Sequence, residues 1–211
     1  MDIARFKKLP IMGIMRSVGE DSIEPLIESV VSSGLETIEI TMNSENAKAL
    51  IARAAKIAGH RLMIGAGTVL SVDSLKAALD AGATFVVMPV VMEDVLEYCV
   101  EKVIPVFPGA LTPAEIYKAW GSGATMVKVF PSGFFGPEYF KEIKGPFANI
   151  ELLACGGVTA ENIGAYFSNG ASAAAFGGSI FRKEWLAGKE FKKITGEISK
   201  LIQAFKKADI K

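Results

Sequence analysis

The chain has 211 residues, half of them hydrophobic, with 23 Lys and Arg against 23 Asp and Glu and a formal net charge of zero. A mean hydropathy of +0.34 and a pI near 6.6 argue against intrinsic disorder and give no electrostatic case for nucleic acid or an anionic membrane as a partner. One histidine excludes a multi-His metal site, Cys99 and Cys155 form no CxxC pair, and no apolar run has the length of a membrane span, so the expectation is a soluble, cytoplasmic protein with reduced thiols.

Taken in chain order, short apolar runs occupy residues 10–16, 37–42, 61–68, 85–89, 103–109, 126–131, 150–156 and 171–178. Their length and their Ile, Val and Phe content suit buried parallel strands. Amphipathic stretches lie between and after them, at residues 21–33, 45–58, 72–81, 93–102, 112–120, 137–144, 160–168 and 189–208. In the first of these, Ile23, Leu26, Ile27 and Val30 recur at helical spacing. Ser44 before Glu45, Thr112-Pro113, and Thr159 with Glu161 read as helix starts, and Gly34, Gly59, Gly82, Gly123 and Gly170 as helix ends. Repeated strand–helix alternation implies right-handed βαβ units in the α/β class, and eight of them close naturally into a (β/α)₈ barrel. An open doubly wound sheet is the alternative. No linker or low-complexity tract divides the chain, so residues 1–211 are expected to form one domain.

In such a barrel, function gathers at the C-terminal ends of the strands. The second run reads Thr37-Ile38-Glu39-Ile40-Thr41. Its period of two sends the isoleucines toward the helices and Glu39 toward the barrel interior. By the same rule the sixth run, Met126-Val127-Lys128-Val129-Phe130-Pro131, turns Lys128 inward with Met126 and Phe130. Both runs are even-numbered, so Glu39 and Lys128 are expected to face each other. Burial favours the neutral amine of a lysine, the form that attacks carbonyls, and a nearby carboxylate can move protons. A structural salt bridge is the competing reading, although buried ion pairs add little net stability over apolar packing.

Arg16 ends the first run and offers a planar fork for a carboxylate or phosphate. Thr68 ends the third run with a hydroxyl. Gly156-Gly157 after the seventh run and Gly178-Ser179 after the eighth stand where these barrels often bind phosphate. His60 falls at the opposite end of the barrel, Cys99 reads as helix packing, and Cys155 has no His partner to make it a nucleophile. Lys192, Lys193, Lys200, Lys206 and Lys207 read as a solvated helix face.

With these residues the chain resembles the class I aldolases acting on 2-keto-3-deoxy-6-phosphogluconate (KDPG) and 4-hydroxy-2-oxoglutarate (KHG). The resemblance rests on Ile38-Glu39-Ile40-Thr41, Ile64-Gly65-Ala66-Gly67-Thr68-Val69-Leu70, Phe107-Pro108-Gly109, Val127-Lys128-Val129-Phe130-Pro131, Phe135-Gly136-Pro137 and Gly156-Gly157-Val158-Thr159, and it spans about residues 9–181. It implies a (β/α)₈ barrel, a homotrimer, no metal and no cofactor. It places the Schiff-base lysine on Lys128, the catalytic glutamate on Glu39 and the threonine beside the pyruvate carboxylate on Thr68. The phosphate positions fall on Gly156, Gly157, Gly178 and Ser179, the strand-four proline on Pro89, and the aromatic after the lysine on Phe130. The substrate implied is a small 2-keto-4-hydroxy acid, cleaved to pyruvate and glyceraldehyde 3-phosphate, or to pyruvate and glyoxylate.

Some positions depart from the gluconate-type pattern. Asn43 stands where many such members carry arginine, and Arg16 fits members with an arginine at the end of strand one. Asn43-Ser44 and Phe130-Pro131-Ser132 are similar to the related 6-phosphogalactonate aldolases. Cys155 stands where gluconate enzymes commonly have Thr and galactonate ones Val, and Met88 and Val90 flank Pro89 where small or polar residues are common. Two readings from other classes compete: a metal-dependent phosphosugar isomerase or epimerase, which needs His and Asp ligands at the mouth, and a non-catalytic phosphosugar-binding barrel.

Overall fold

The computed structural model describes residues 1–208, so residues 209–211 of the expected domain lie outside the described part. One parallel sheet runs β1 (Ile11–Met15), β2 (Thr37–Thr41), β3 (Met63–Gly67), β4 (Val86–Val87), β5 (Val106–Phe107), β6 (Gly109–Ala110), β7 (Val127–Val129), β8 (Leu152–Cys155) and β9 (Ala173–Phe176). Their order around the sheet is β5-β4-β3-β2-β1-β9-β8-β7-β6.

The two ends of that order are consecutive in the chain and separated only by Pro108. Proline has no N–H to give to a ladder, which divides the fifth expected strand in two. Its carbonyl still accepts from the Lys128 N–H at 2.9 Å. β5 pairs with β4 and β6 pairs with β7, so the chain itself joins the edges. The result is a nearly closed (β/α)₈-type barrel in which nine segments occupy eight places.

Eight helices follow the expected pattern: α2 (Glu20–Ser32), α3 (Ala47–Ala58), α4 (Val72–Asp80), α5 (Glu93–Glu101), α6 (Pro113–Gly121), α7 (Glu138–Lys144), α8 (Ile163–Ser168) and α10 (Phe191–Lys207). Ile38, Ile40, Val127 and Val129 pack in the layer between barrel and helices. Each such side chain contributes about 1.5–3 kcal/mol on full burial. A separate cluster of Met12, Met63, Phe85, Phe107, Met126 and Leu153 fills the barrel interior. The alternation expected for the second and sixth runs is therefore observed, and Glu39 and Lys128 belong to the inward face.

Two short helices have no counterpart in the periodicity, α1 (Ile3–Lys8) and α9 (Lys183–Ala187). Phe6 of α1 plugs the interior cluster, edge-on to Phe107 with ring centroids 5.9 Å apart. Arg5 of α1 donates to the His60 carbonyl at 2.7 Å, which fixes His60 at this closed end, away from the mouth.

Of the expected helix starts, Thr112 caps α6 in a capping box with Glu115. Ser44 does not start a helix. α3 begins at Ala47, and the Ser44 hydroxyl instead meets Thr41 Oγ1 at 2.9 Å and accepts from the Ser17 N–H at 3.0 Å. α8 begins at Ile163 rather than after Thr159, whose N–H donates to Asn162 Oδ1 at 2.8 Å.

Candidate active site

β2 and β7 stand four places apart around an eight-place ring, which sets Glu39 opposite Lys128. Glu39 is 1% exposed and Lys128 6%. Glu39 registers with Gly65 of β3, but its carboxyl reaches two residues further toward the mouth, where a methyl group on Gly67 would lie 2.5 Å from Oε1. Glycine at position 67 is what leaves room for the carboxyl. Oε2 has no hydrogen-bond partner among the described residues. Buried polar atoms are nearly always satisfied, and exceptions are a recognised feature of catalytic groups.

Burial pushes the Glu39 carboxyl above its ordinary value, while the positive charges of Lys128 and Arg16 work in the opposite direction. Close ion pairs among the described residues are surface contacts such as Arg5–Glu36 and Lys7–Glu151. The salt bridge that a purely structural role would require is not among them. Lys128 Nζ lies 5.3 Å from the Phe130 ring centroid. Cys155 is buried beside it, and burial pushes its thiol up against the lowering influence of Lys128. The thiolate is therefore disfavoured, consistent with a packing role. Burial likewise lifts Cys99 to about 11.

A cavity of about 910 Å³ opens at the C-terminal ends of β8, β9 and β1; Phe130 and Cys155 line it, while Lys128 and Glu39 do not. It brings together six of the expected residues: Arg16, Phe130, Gly156, Gly157, Gly178 and Ser179. Thr68 and Pro89 follow β3 and β4 at the same end of the barrel but do not line this cavity. Thr68 sits at φ 53°, a region that a β-branched side chain rarely enters. Gly156 and Gly157, at φ 99° and 77°, make the turn after β8. The Ser132 hydroxyl, from the loop after Phe130, donates to the Gly156 carbonyl at 3.0 Å and ties that turn to the lysine strand.

The Ser179 hydroxyl donates to the Val158 carbonyl at 3.2 Å and is therefore engaged within the protein. Sequence reading missed the cations beyond it. Arg182 and Lys183, at the start of α9, line the same cavity together with Trp185. The signal for them was their place directly after the last strand of the barrel. Among the described residues no three His, Cys, Asp or Glu side chains come together as a metal site, and no helix is long and apolar enough to cross a membrane.

An inward lysine and an inward carboxyl on a parallel barrel with a cavity at the C-terminal ends of its strands are the layout of a barrel enzyme. The chain belongs to the aldolase family of KDPG and KHG aldolases, whose model matches residues 3–196; aldolases are carbon–carbon lyases. It is 30% identical over 202 residues to a 2-dehydro-3-deoxy-6-phosphogalactonate aldolase of Escherichia coli, covering 95% of this chain and 97% of the relative. It is 34% identical over 161 residues to a 2-dehydro-3-deoxy-phosphogluconate aldolase of Pseudomonas aeruginosa, covering 76% and 71%. A solved structure described as native KDPGal superposes with a TM-score of 0.89 at 30% identity, covering 95% of this chain and 96% of that one.

Proposed function

We propose that the protein is a class I lyase that cleaves a 2-keto-3-deoxy-6-phosphohexonate to pyruvate and glyceraldehyde 3-phosphate through an imine on Lys128. The observation that carries this reading is that Lys128 and Glu39 are both buried on the inward face of opposite strands, with Glu39 Oε2 unpartnered among the described residues. The Lys128 amine attacks the C2 ketone, and loss of water leaves a protonated imine that serves as an electron sink beside C3. Glu39, directly or through a water, takes the C4 hydroxyl proton. The C3–C4 bond electrons move to C3, forming an enamine, and the aldehyde leaves. Protonation at C3 and hydrolysis of the imine release pyruvate and restore the amine.

Arg16, together with Thr68 at its strained strand end, is assigned to the carboxylate. The Gly156-Gly157 and Gly178-Ser179 turns are assigned to the distal phosphate, Phe130 to packing beside the imine, and Pro89 to the opposite rim. Holding both ends of the substrate aligns the C3–C4 bond for cleavage. Cleavage of 4-hydroxy-2-oxoglutarate to pyruvate and glyoxylate follows the same steps without the phosphate contacts.

Two C4 epimers suit this chemistry. The gluconate epimer is the first reading, in line with the Pseudomonas relative. The galactonate epimer is supported by Arg16 serving as the inner cation while Asn43 is exposed, and by the near full-length Escherichia relative. Pyruvate release from each epimer, measured with lactate dehydrogenase and NADH, tests the reading. A large excess of kcat/KM for one epimer identifies the substrate, and no release from either overturns the proposal. A homotrimer belongs to the same reading. Phe134 at 86% and Phe135 at 56% exposure leave apolar surface beside the mouth for another copy, and light scattering measures the assembly.

A further inference from the structure

We propose that Arg182, stacked on Trp185, is the specificity-determining residue that selects substrates ending in a phosphomonoester. The inference rests on the lyase reading above and extends it to Arg182 and Trp185, to which that reading gives no role.

The Arg182 guanidinium lies 4.4 Å from the centroid of the Trp185 ring, and its Nε donates to the Ser179 carbonyl at 3.2 Å. Trp185 is itself partly buried against the core and provides a fixed platform. The guanidinium is thus held on one face and at one nitrogen, while its two terminal nitrogens meet no protein acceptor among the described residues. A planar donor group prepared in this way suits the oxygens of a phosphate.

The rest of that end of the cavity has matching chemistry. The N–H groups of Gly157, Gly178 and Ser179 donate to no acceptor among the described residues, whereas the Ser179 hydroxyl is engaged by Val158. Backbone amides therefore remain as neutral donors, and Arg182 and Lys183 supply positive charge on a wall whose carboxylate is Glu184, with Glu161 and Glu197 lining a smaller adjoining cavity that Arg182 also borders. Arg16 lines the same cavity from the end of β1, and its positive charge favours the ionised form of Glu39. The cavity lining thus holds three cations, Arg16 after β1 and Arg182 with Lys183 after β9, a set suited to a ligand that carries two anionic groups.

The test compares a 6-phosphorylated 2-keto-3-deoxyhexonate with its dephosphorylated counterpart, using wild-type protein, Arg182→Ala, Arg182→Gln, Arg182→Lys and Trp185→Ala. Borohydride trapping of pyruvate on Lys128 checks that each variant is folded, and Arg182→Gln provides a second neutral variant if Arg182→Ala does not fold. The expected result is a rise in KM for the phosphorylated substrate of about 10- to 100-fold in the neutral variants, the worth of one charged hydrogen-bonding group. The preference for the phosphorylated substrate should collapse by the same factor. Arg182→Lys should recover part of it, and Trp185→Ala should lose part of it while the arginine remains. A preference within about 2-fold of wild type in both neutral variants overturns the role of Arg182 and leaves the lyase reading intact. Failure of wild type to cleave either compound overturns the lyase reading, and this inference with it.

Discussion

The Glu39 carboxyl occupies the space that a side chain at position 67 would need, with a methyl group there only 2.5 Å from Oε1. One strand thereby sets the position of a group on its neighbour. Gly67→Ala is expected to displace the carboxyl without disturbing the outer core. The prediction is a loss of about 10²-fold in kcat, the usual cost of misplacing a reacting group by about 1 Å. A melting curve should remain cooperative, and wild-type turnover in this variant would separate the position of Glu39 from catalysis.

Glu39→Gln keeps the shape of the side chain and removes its ability to take a proton. Imine formation with pyruvate should survive while steady-state cleavage slows by about 10²–10⁴-fold. Because burial raises the Glu39 carboxyl above its ordinary 4.5, wild-type kcat should fall as pH drops through that raised value. The acid limb should therefore lie above the pH of a free carboxyl and be absent from Glu39→Gln.

The same shift carries a stability consequence. A carboxyl with a raised folded pKa holds its proton where the unfolded chain has already lost it, so the folded state weakens as pH rises from 4.5 through the raised value. Glu39→Gln escapes this cost. It should melt above wild type at pH 8, with the difference closing below pH 4.5. Each kcal/mol appears as about 2–4 °C in a chain of this size. Thermal scans across pH measure the gap, and one that fails to widen with pH contradicts the assignment.

Ser44 ties the strand-one loop to strand two through the Ser17 N–H and Thr41 Oγ1. Ser17 itself sits at φ 54°, directly after Arg16. Ser44→Ala leaves both groups without that partner, at a cost of about 1–3 kcal/mol for a buried unsatisfied group. Loosening of Arg16 should raise the KM for the keto acid several-fold more than it lowers kcat. Equal effects on KM and kcat would show that the bridge serves stability alone.

Much of the barrel was legible because its physics is periodic. The isoleucines of β2 and the valines of β7 alternate with Glu39 and Lys128, and that alternation alone placed the charged pair inside. Pro108 was visible, but a strand split in two became apparent only when each half was seen pairing with a different neighbour. α1 was too short for its single buried aromatic, Phe6, to show a period. Ser44 had the composition of a helix cap, but a tertiary contact with Ser17 claimed its hydroxyl. Arg182 precedes, and Trp185 lies in, a short helix with no fully buried residue, so nothing local distinguished them from surface residues until the cavity brought them beside the glycine turns.

The central claim is that Lys128 forms an imine with the keto acid, and reductive trapping tests it most directly. The protein is incubated with pyruvate and sodium borohydride and then read by intact and peptide mass spectrometry. The account predicts one reduced pyruvyl adduct per chain, located on Lys128 and lost in Lys128→Ala. A folded protein that yields no adduct, or carries it on another lysine, would contradict the mechanism.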